Sequence, residues 1–216
     1  MTRMGFTVDL ERCVGCQACV IACKVENGTP RNVHWMRVLE QEEGAYPYAR
    51  RSFTPVRCNH CANAPCVEAC PSGAFEQRPD GVVIVNDDKC IGAMACVTAC
   101  PYDVPVRYDG GEGYFPLEFT PFEQKKYAGF RVGTAQKCHF CYHRLDAGRP
   151  PACVESCPAD ALNYGDLDEP GSGINVLLQS RRHLRPREEL GTDPSLYYLV
   201  GKGGGSVGGM AGDGDA

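Results

Sequence analysis

The stretch Cys58-Asn59-His60-Cys61-Ala62-Asn63-Ala64-Pro65-Cys66-Val67-Glu68-Ala69-Cys70-Pro71 sets four thiols on one short loop and the turn that follows it. The proline after the last cysteine forbids continuing the preceding turn and redirects the chain. The same ending recurs on both sides of it. Before it stands Cys13-x2-Cys16-x2-Cys19-x3-Cys23; after it come Cys90-x5-Cys96-x3-Cys100-Pro101 and Cys138-x2-Cys141-x11-Cys153-x3-Cys157-Pro158. All four groups close on C-x3-C, and three of them put proline next. Such an internal repeat is the first guide to architecture.

The chain holds 15 cysteines among 216 residues, so the sulfur needs a use. Disulfides fit poorly, because the count is odd and the cysteines sit in tight groups rather than spread as loop staples. Zinc takes four thiolates from two C-x2-C pairs, yet four groups with a common C-x3-C ending do not match that spacing. Iron–sulfur cubanes do match. A C-x2-C-x2-C loop wraps three corners, and C-x3-C-P brings a fourth sulfur, which in two-cluster ferredoxins ligates the other cluster of the pair. Two such motifs make two clusters by exchanging their last ligands.

Composition excludes several alternatives. The formal charge is -5 with both signs interspersed, which argues against nucleic acid as a partner. No secretory signal opens the chain, and no apolar run is long enough to span a membrane. Gly201–Gly205 lacks a helical pattern after it and is no phosphate loop. Neither a nucleophile–base pairing nor a flavin fingerprint is present, so no catalytic residue is expected.

Between the second and third groups, residues 81–86 read as a β-branched strand, with a weaker counterpart at 161–165. Residues 33–39, 52–56 and 127–132 are further candidate strands, and 110–113 and 116–121 read as loop. From Gly201 to the end the sequence is glycine-rich with almost nothing to bury, so disorder is expected over 201–216.

Three segments carry a family resemblance over residues 6–166: Asp9-x3-Cys13-x-Gly15-Cys16-x2-Cys19; Cys58-Asn59-His60-Cys61-x3-Pro65-Cys66-x3-Cys70-Pro71; and Lys137-Cys138-x2-Cys141-x11-Cys153-x3-Cys157-Pro158. These resemble the iron–sulfur (beta) subunit of the complex iron–sulfur molybdoenzymes, the dimethyl sulfoxide reductase family. The x11 gap is especially telling, since simple ferredoxins lack it.

The resemblance implies an α+β fold of two dicluster ferredoxin-like heads, with small antiparallel sheets, short helices and long loops. An outer head would comprise residues 1–51 and 108–200, carrying groups one and four; an inner head would be 52–107, carrying groups two and three. Cluster 1 would take Cys13, Cys16, Cys19 and Cys157. Cluster 2 would take Cys138, Cys141, Cys153 and Cys23. Cluster 3 would take Cys58, Cys61, Cys66 and Cys100, and cluster 4 Cys90, Cys96 and Cys70. The implied function is electron relay between a large molybdenum- or tungsten-pterin catalytic subunit, on the cluster 1 side, and an integral membrane anchor exchanging with quinone or haem, on the cluster 4 side. The chain would then be membrane-associated only through its partners, on either face. A hydrogenase-type relay and a free-standing polyferredoxin are the competing readings. A compact chain of this length is about 45 Å across, so four clusters in a row would lie about 11 Å apart, close enough for tunnelling.

Group three departs from the pattern. Position 93, where a fourth thiolate belongs, is alanine, and a methyl group cannot donate to iron. Three thiolates suit a [3Fe-4S] cluster, which would make the set three [4Fe-4S] and one [3Fe-4S]. A cubane capped by water or another side chain, and an empty site, are the rivals; Met94 and Asp87 are the nearest other donors, both poor replacements for thiolate. A comparatively high potential is expected at this site.

His60 and His139 lie inside C-x2-C loops, where hydrogen bonding or packing is the commoner role and iron ligation the rarer. Lys125, Lys126, Lys137 and Arg144 are candidates for tuning cluster charge or for surface solvation. The basic run from Arg181 to Arg187 is weakly favoured as a docking patch. Trp35 is expected in a core or interface.

Overall fold

The computed structural model describes residues 2–111, 113–115 and 118–201. The glycine-rich tail expected to be disordered lies outside the described residues, apart from Gly201. β1 (Met4–Asp9) leads into the first cysteine loop, and α1 (Ala18–Asn27) leaves it. β2 (Met36–Glu43) and β3 (Arg50–Arg57) form an antiparallel hairpin from Met36↔Arg57 to Glu43↔Arg50. α2 (Pro65–Glu68) follows, then β4 (Phe75–Gln77) pairs antiparallel with β5 (Val83–Val85), and α3 (Ala95–Ala99) carries the third group. β6 (Val106–Arg107) pairs antiparallel with β7 (Ala135–Gln136), and α4 (Pro121–Tyr127) lies between them in sequence. The chain finishes with α5 (Tyr142–Leu145), α6 (Ala152–Glu155), β8 (Leu162–Asp166), α7 (Gly173–Ser180), β9 (His183–Leu184) and β10 (Leu196–Leu199). Small sheets, short helices and long loops make this an α+β fold.

The largest sheet has the order β8-β1-β10-β9. β1 runs antiparallel to β8 but parallel to β10, from Phe6↔Leu196 to Asp9↔Leu199, so the sheets are not all antiparallel as expected. The sequence separation explains this: a parallel neighbour needs a long crossover rather than a hairpin, and nearly the whole chain lies between these two strands.

Residues 127–132 do not form the expected strand. A helix ends there instead, started by Thr120, whose hydroxyl accepts from the Glu123 N–H while the Glu123 carboxylate accepts from the Thr120 N–H at 2.7 Å. With Pro121 in the first turn, this reciprocal cap favours helix over any β-branched run downstream.

Two apolar cores result. The larger packs Phe6, Val8, Leu196 and Tyr198 of the main sheet against Phe140, Val33, Trp35 and Met36. Each large apolar side chain buried this way contributes about 1.5–3 kcal/mol. The smaller core gathers Phe75, Val83, Ala74 and Ala135 with Cys61, Cys66, Cys90 and Cys96. Tyr198 joins the main sheet to the hairpin, its hydroxyl donating to the Pro55 carbonyl at 3.0 Å.

Candidate metal centres

Each C-x3-C step is one turn of helix. Cys66 lies in α2, and the Cys70 N–H donates to Val67 just past its end. Cys96 lies in α3 with Cys100 as its C-cap; Cys153 lies in α6, with the Cys157 N–H donating to Val154. α1 holds both Cys19 and Cys23. A single turn separates the two sulfurs of each pair, and the two sulfurs belong to different groups of thiols.

One cavity is lined by Cys58, Cys61, Cys66 and Cys100, and a second by Cys70, Cys90 and Cys96. α2 and α3, packed together, thus trade their last cysteines. A third cavity is lined by Cys13, Cys16, Cys19 and Cys157. Cys23 lies among Cys138, Cys153 and Cys141; its burial, reinforced by their charges, pushes its thiol pKa well up. Asn27 Nδ2 lies 3.6 Å from Cys23 Sγ and 3.9 Å from Cys141 Sγ. α1 and α6 pack together and make the same trade. The structure therefore brings together all four expected sets of cysteines.

The loops are shaped for this. Gly15 and Gly92 take φ of +68° and +73°, and Gln17 and Met94, two residues on, are also left-handed. At Gly92 a Cβ would come within 2.6 Å of the Gly133 carbonyl oxygen, so glycine is required for close approach as well as for φ. Backbone N–H groups of Ala74, Phe140 and Ala161 donate to the sulfurs of Cys70, Cys138 and Cys157 at 3.3–3.4 Å.

Burial, reinforced by neighbouring cysteines, pushes the thiols of Cys61, Cys66 and Cys153 up to about 12 and those of Cys19 and Cys96 up to about 11. Many thiols facing one another in apolar walls hold their protons tightly, and only a polycation could bind there by displacing them. Among the described residues no three His, Cys, Asp or Glu side chains are arranged to hold a lone metal ion. The thiols surround cavities instead, as a multi-iron core requires. These residues fit iron–sulfur clusters.

Ala93 lines the cavity of Cys70, Cys90 and Cys96, as does Met94. Asp87 is committed elsewhere, accepting from Gln136 Nε2 at 3.0 and 3.2 Å.

His60 is fully buried; its Nδ1 accepts from the Val83 N–H at 3.1 Å and its ring meets Phe140 edge-on. His139 packs against Trp35, and burial, aided by His143 and Lys137, lowers its pKa to about 3. Both rings are neutral packing elements at physiological pH. Arg144 is buried and bonds Glu26 and Glu155, while Lys126 donates to the Glu26 carbonyl. In the basic run near the C-terminus, Arg182, His183 and Leu184 are exposed, while three arginines are engaged within the chain. Arg181 pairs with Asp9 and Glu11, Arg185 with Asp193, and Arg187 donates to the Pro101 carbonyl. Sequence alone did not show Asp9 and Glu11 as partners, because they lie 172 and 170 residues from Arg181 along the chain.

Sequence reasoning singled out Lys137 but missed Arg57. Arg57 is only 3% exposed and lies between the rings of Phe6 and Phe140, 3.8 and 4.5 Å from their centroids. Its position just before Cys58 was the available signal.

Helix-bridged pairs of thiol groups define a ferredoxin-like protein of the dicluster class. Two family profiles, both described as 4Fe-4S dicluster domain, match residues 49–114 with 117–167, and residues 12–74. The arsenate respiratory reductase iron–sulfur subunit of Shewanella sp. (strain ANA-3) is 36% identical over 91% of this chain and 96% of its own length. A subunit of the selenate reductase of Mesobacillus selenatarsenatis is 41% identical over 89% and 70%, and a component of the polysulfide reductase of Wolinella succinogenes 39% over 94% and 97%. This protein belongs to the family of iron–sulfur subunits of dimethyl sulfoxide reductase-type molybdoenzymes, and its function is electron transfer. No helix among the described residues is long and apolar enough to cross a membrane.

Proposed function

We propose that the chain relays electrons through three [4Fe-4S] clusters and one [3Fe-4S] cluster, between a molybdenum- or tungsten-pterin catalytic subunit and a membrane anchor that exchanges with quinone or haem. Cys13, Cys16, Cys19 and Cys157 hold the first cluster; Cys23, Cys138, Cys141 and Cys153 the second; Cys58, Cys61, Cys66 and Cys100 the third; and Cys70, Cys90 and Cys96 the fourth. The observation that carries this reading is the trade of cysteines across α1 and α6 and across α2 and α3, which yields four thiol sets from four motifs.

When bound, an iron–sulfur cluster takes up and returns single electrons at a potential set by its type, charge, hydrogen bonds and exposure. The chain's own residues do the rest. Thiolates fix positions, N–H groups donate to sulfur and ease added negative charge, and the apolar walls exclude water. Three thiolates beside Ala93, with Asp87 held by Gln136, favour the three-iron form in the fourth site. We retain an inner head of residues 52–107 and an outer head of 1–51 with 108–200: the smaller core draws on 52–107 except for Ala135, while the larger core also takes in Cys58 and Val82 and β3 runs through the boundary at 51/52. Attachment to the membrane is then through partners.

Affinity purification of the full chain from its native membranes tests this. The expected companion is a large pterin-containing chain; a nickel–iron chain, or no companion, contradicts the reading.

A further inference from the structure

We infer that Arg57 is a fixed counter-charge between the second and third clusters, which raises the reduction potential of the cluster held by Cys23, Cys138, Cys141 and Cys153. The inference rests on the cysteine assignment just proposed. Among the described residues no carboxylate pairs with this guanidinium, and its Nε and one terminal nitrogen have no hydrogen-bond partner. A buried cation left that way is strongly unfavourable unless an opposite charge faces it. What faces it is sulfur. Its other terminal nitrogen lies 4.0 Å from Cys153 Sγ.

Cys138, Cys153, Cys58 and Cys141 are the thiols within charge range of the guanidinium. The first, second and fourth of those sulfurs belong to one cysteine set and Cys58 to the next, so the cation lies where an electron crosses from one head to the other. The rings of Phe6 and Phe140 hold the guanidinium plane in place and keep water away.

A cluster becomes one unit more negative on reduction, so a nearby fixed cation favours the reduced form. In a buried site, an opposite unit charge at this range shifts a one-electron equilibrium by more than tenfold. Lys137 is equally sequestered, but its ammonium has other work, donating to the carbonyls of Val83 and Cys138.

The test is an anaerobic redox titration, followed by paramagnetic resonance, of the cluster-loaded full chain as wild type, Arg57→Gln and Arg57→Lys. Iron and acid-labile sulfide in the wild type report separately on the cysteine assignment. Arg57→Gln is expected to lower the reduction equilibrium constant of one [4Fe-4S] couple at least about tenfold, about 59 mV for one electron, and Arg57→Lys to restore most of it. Unchanged potentials in Arg57→Gln, or an Arg57→Lys that behaves like Arg57→Gln, would overturn the inference. Should Arg57→Gln not retain its iron, wild-type chain labelled with 15N-arginine decides by pulsed resonance. A nitrogen coupling to a reduced [4Fe-4S] cluster is expected, and its absence overturns the assignment.

Discussion

Glu26 on α1 and Arg144 on α5 meet at 2.7 Å, and the same guanidinium also bonds Glu155 of α6. One buried arginine thus fastens together the three helices that bring Cys23 to Cys141 and Cys153. Arg144 is 5% exposed, so removing Glu26 leaves its buried guanidinium with Glu155 alone.

Glu26→Gln is therefore expected to destabilise the loaded chain by about 1–3 kcal/mol at neutral pH and to release iron first from the Cys23 site. A hydrogen bond from His143, opposed by partial burial and reinforced by Arg144, holds the Glu26 carboxyl below its usual range. A carboxyl with a lowered folded pKa stabilises above its unfolded value and loses that contribution as pH falls through the folded one. The gap between wild type and variant should thus be full above about pH 4.5 and close below it. Chemical unfolding followed by visible absorption at several pH values checks both parts.

Ala93→Cys supplies a thiol to the wall of the cavity that holds Cys70, Cys90 and Cys96. The variant should lose the paramagnetic signal of an oxidised three-iron cluster and gain about one iron per chain, with sulfide unchanged. Retention of that signal at wild-type intensity would show that position 93 does not decide the cluster type.

Gly92→Ala meets both a left-handed φ and a carbonyl oxygen at 2.6 Å. The backbone conformation alone costs about 1–2 kcal/mol for an L-residue, and the contact adds to it because backbone cannot step aside cheaply. Thermal unfolding should shift downward, and occupancy of the Cys90 site should fall more than that of the other three.

Cluster insertion has to displace protons from thiols whose pKa values burial raises to about 11 or 12. Loading should therefore release protons throughout the neutral range and become more favourable as pH rises. Calorimetry of anaerobic reconstitution, in two buffers of different ionisation enthalpy, measures that release.

Much of the site was legible because cysteine spacing is a local code. The four groups and the alanine at position 93 are visible in a few residues each, while the pairing of the groups was what the family resemblance implied. The strands at 83–85 and 162–166 were signalled by β-branched residues and turn residues near them. The parallel partnership of β1 with β10 was not, since pairing between chain ends leaves no local mark. The strand expected at 127–132 failed because the Thr120–Glu123 cap acts upstream of the residues that suggested it. Arg57 was missed for a related reason: an arginine at the end of a strand looks like a surface residue until Phe6 and Phe140 close over it.

Iron and acid-labile sulfide analysis of anaerobically prepared chain, with paramagnetic resonance of the oxidised form, tests the four-cluster relay most directly. About fifteen irons and sixteen sulfides per chain, with one three-iron signal, are predicted from three cubanes and one [3Fe-4S] core. Colourless protein lacking labile sulfide, or about sixteen irons with no three-iron signal, would contradict it.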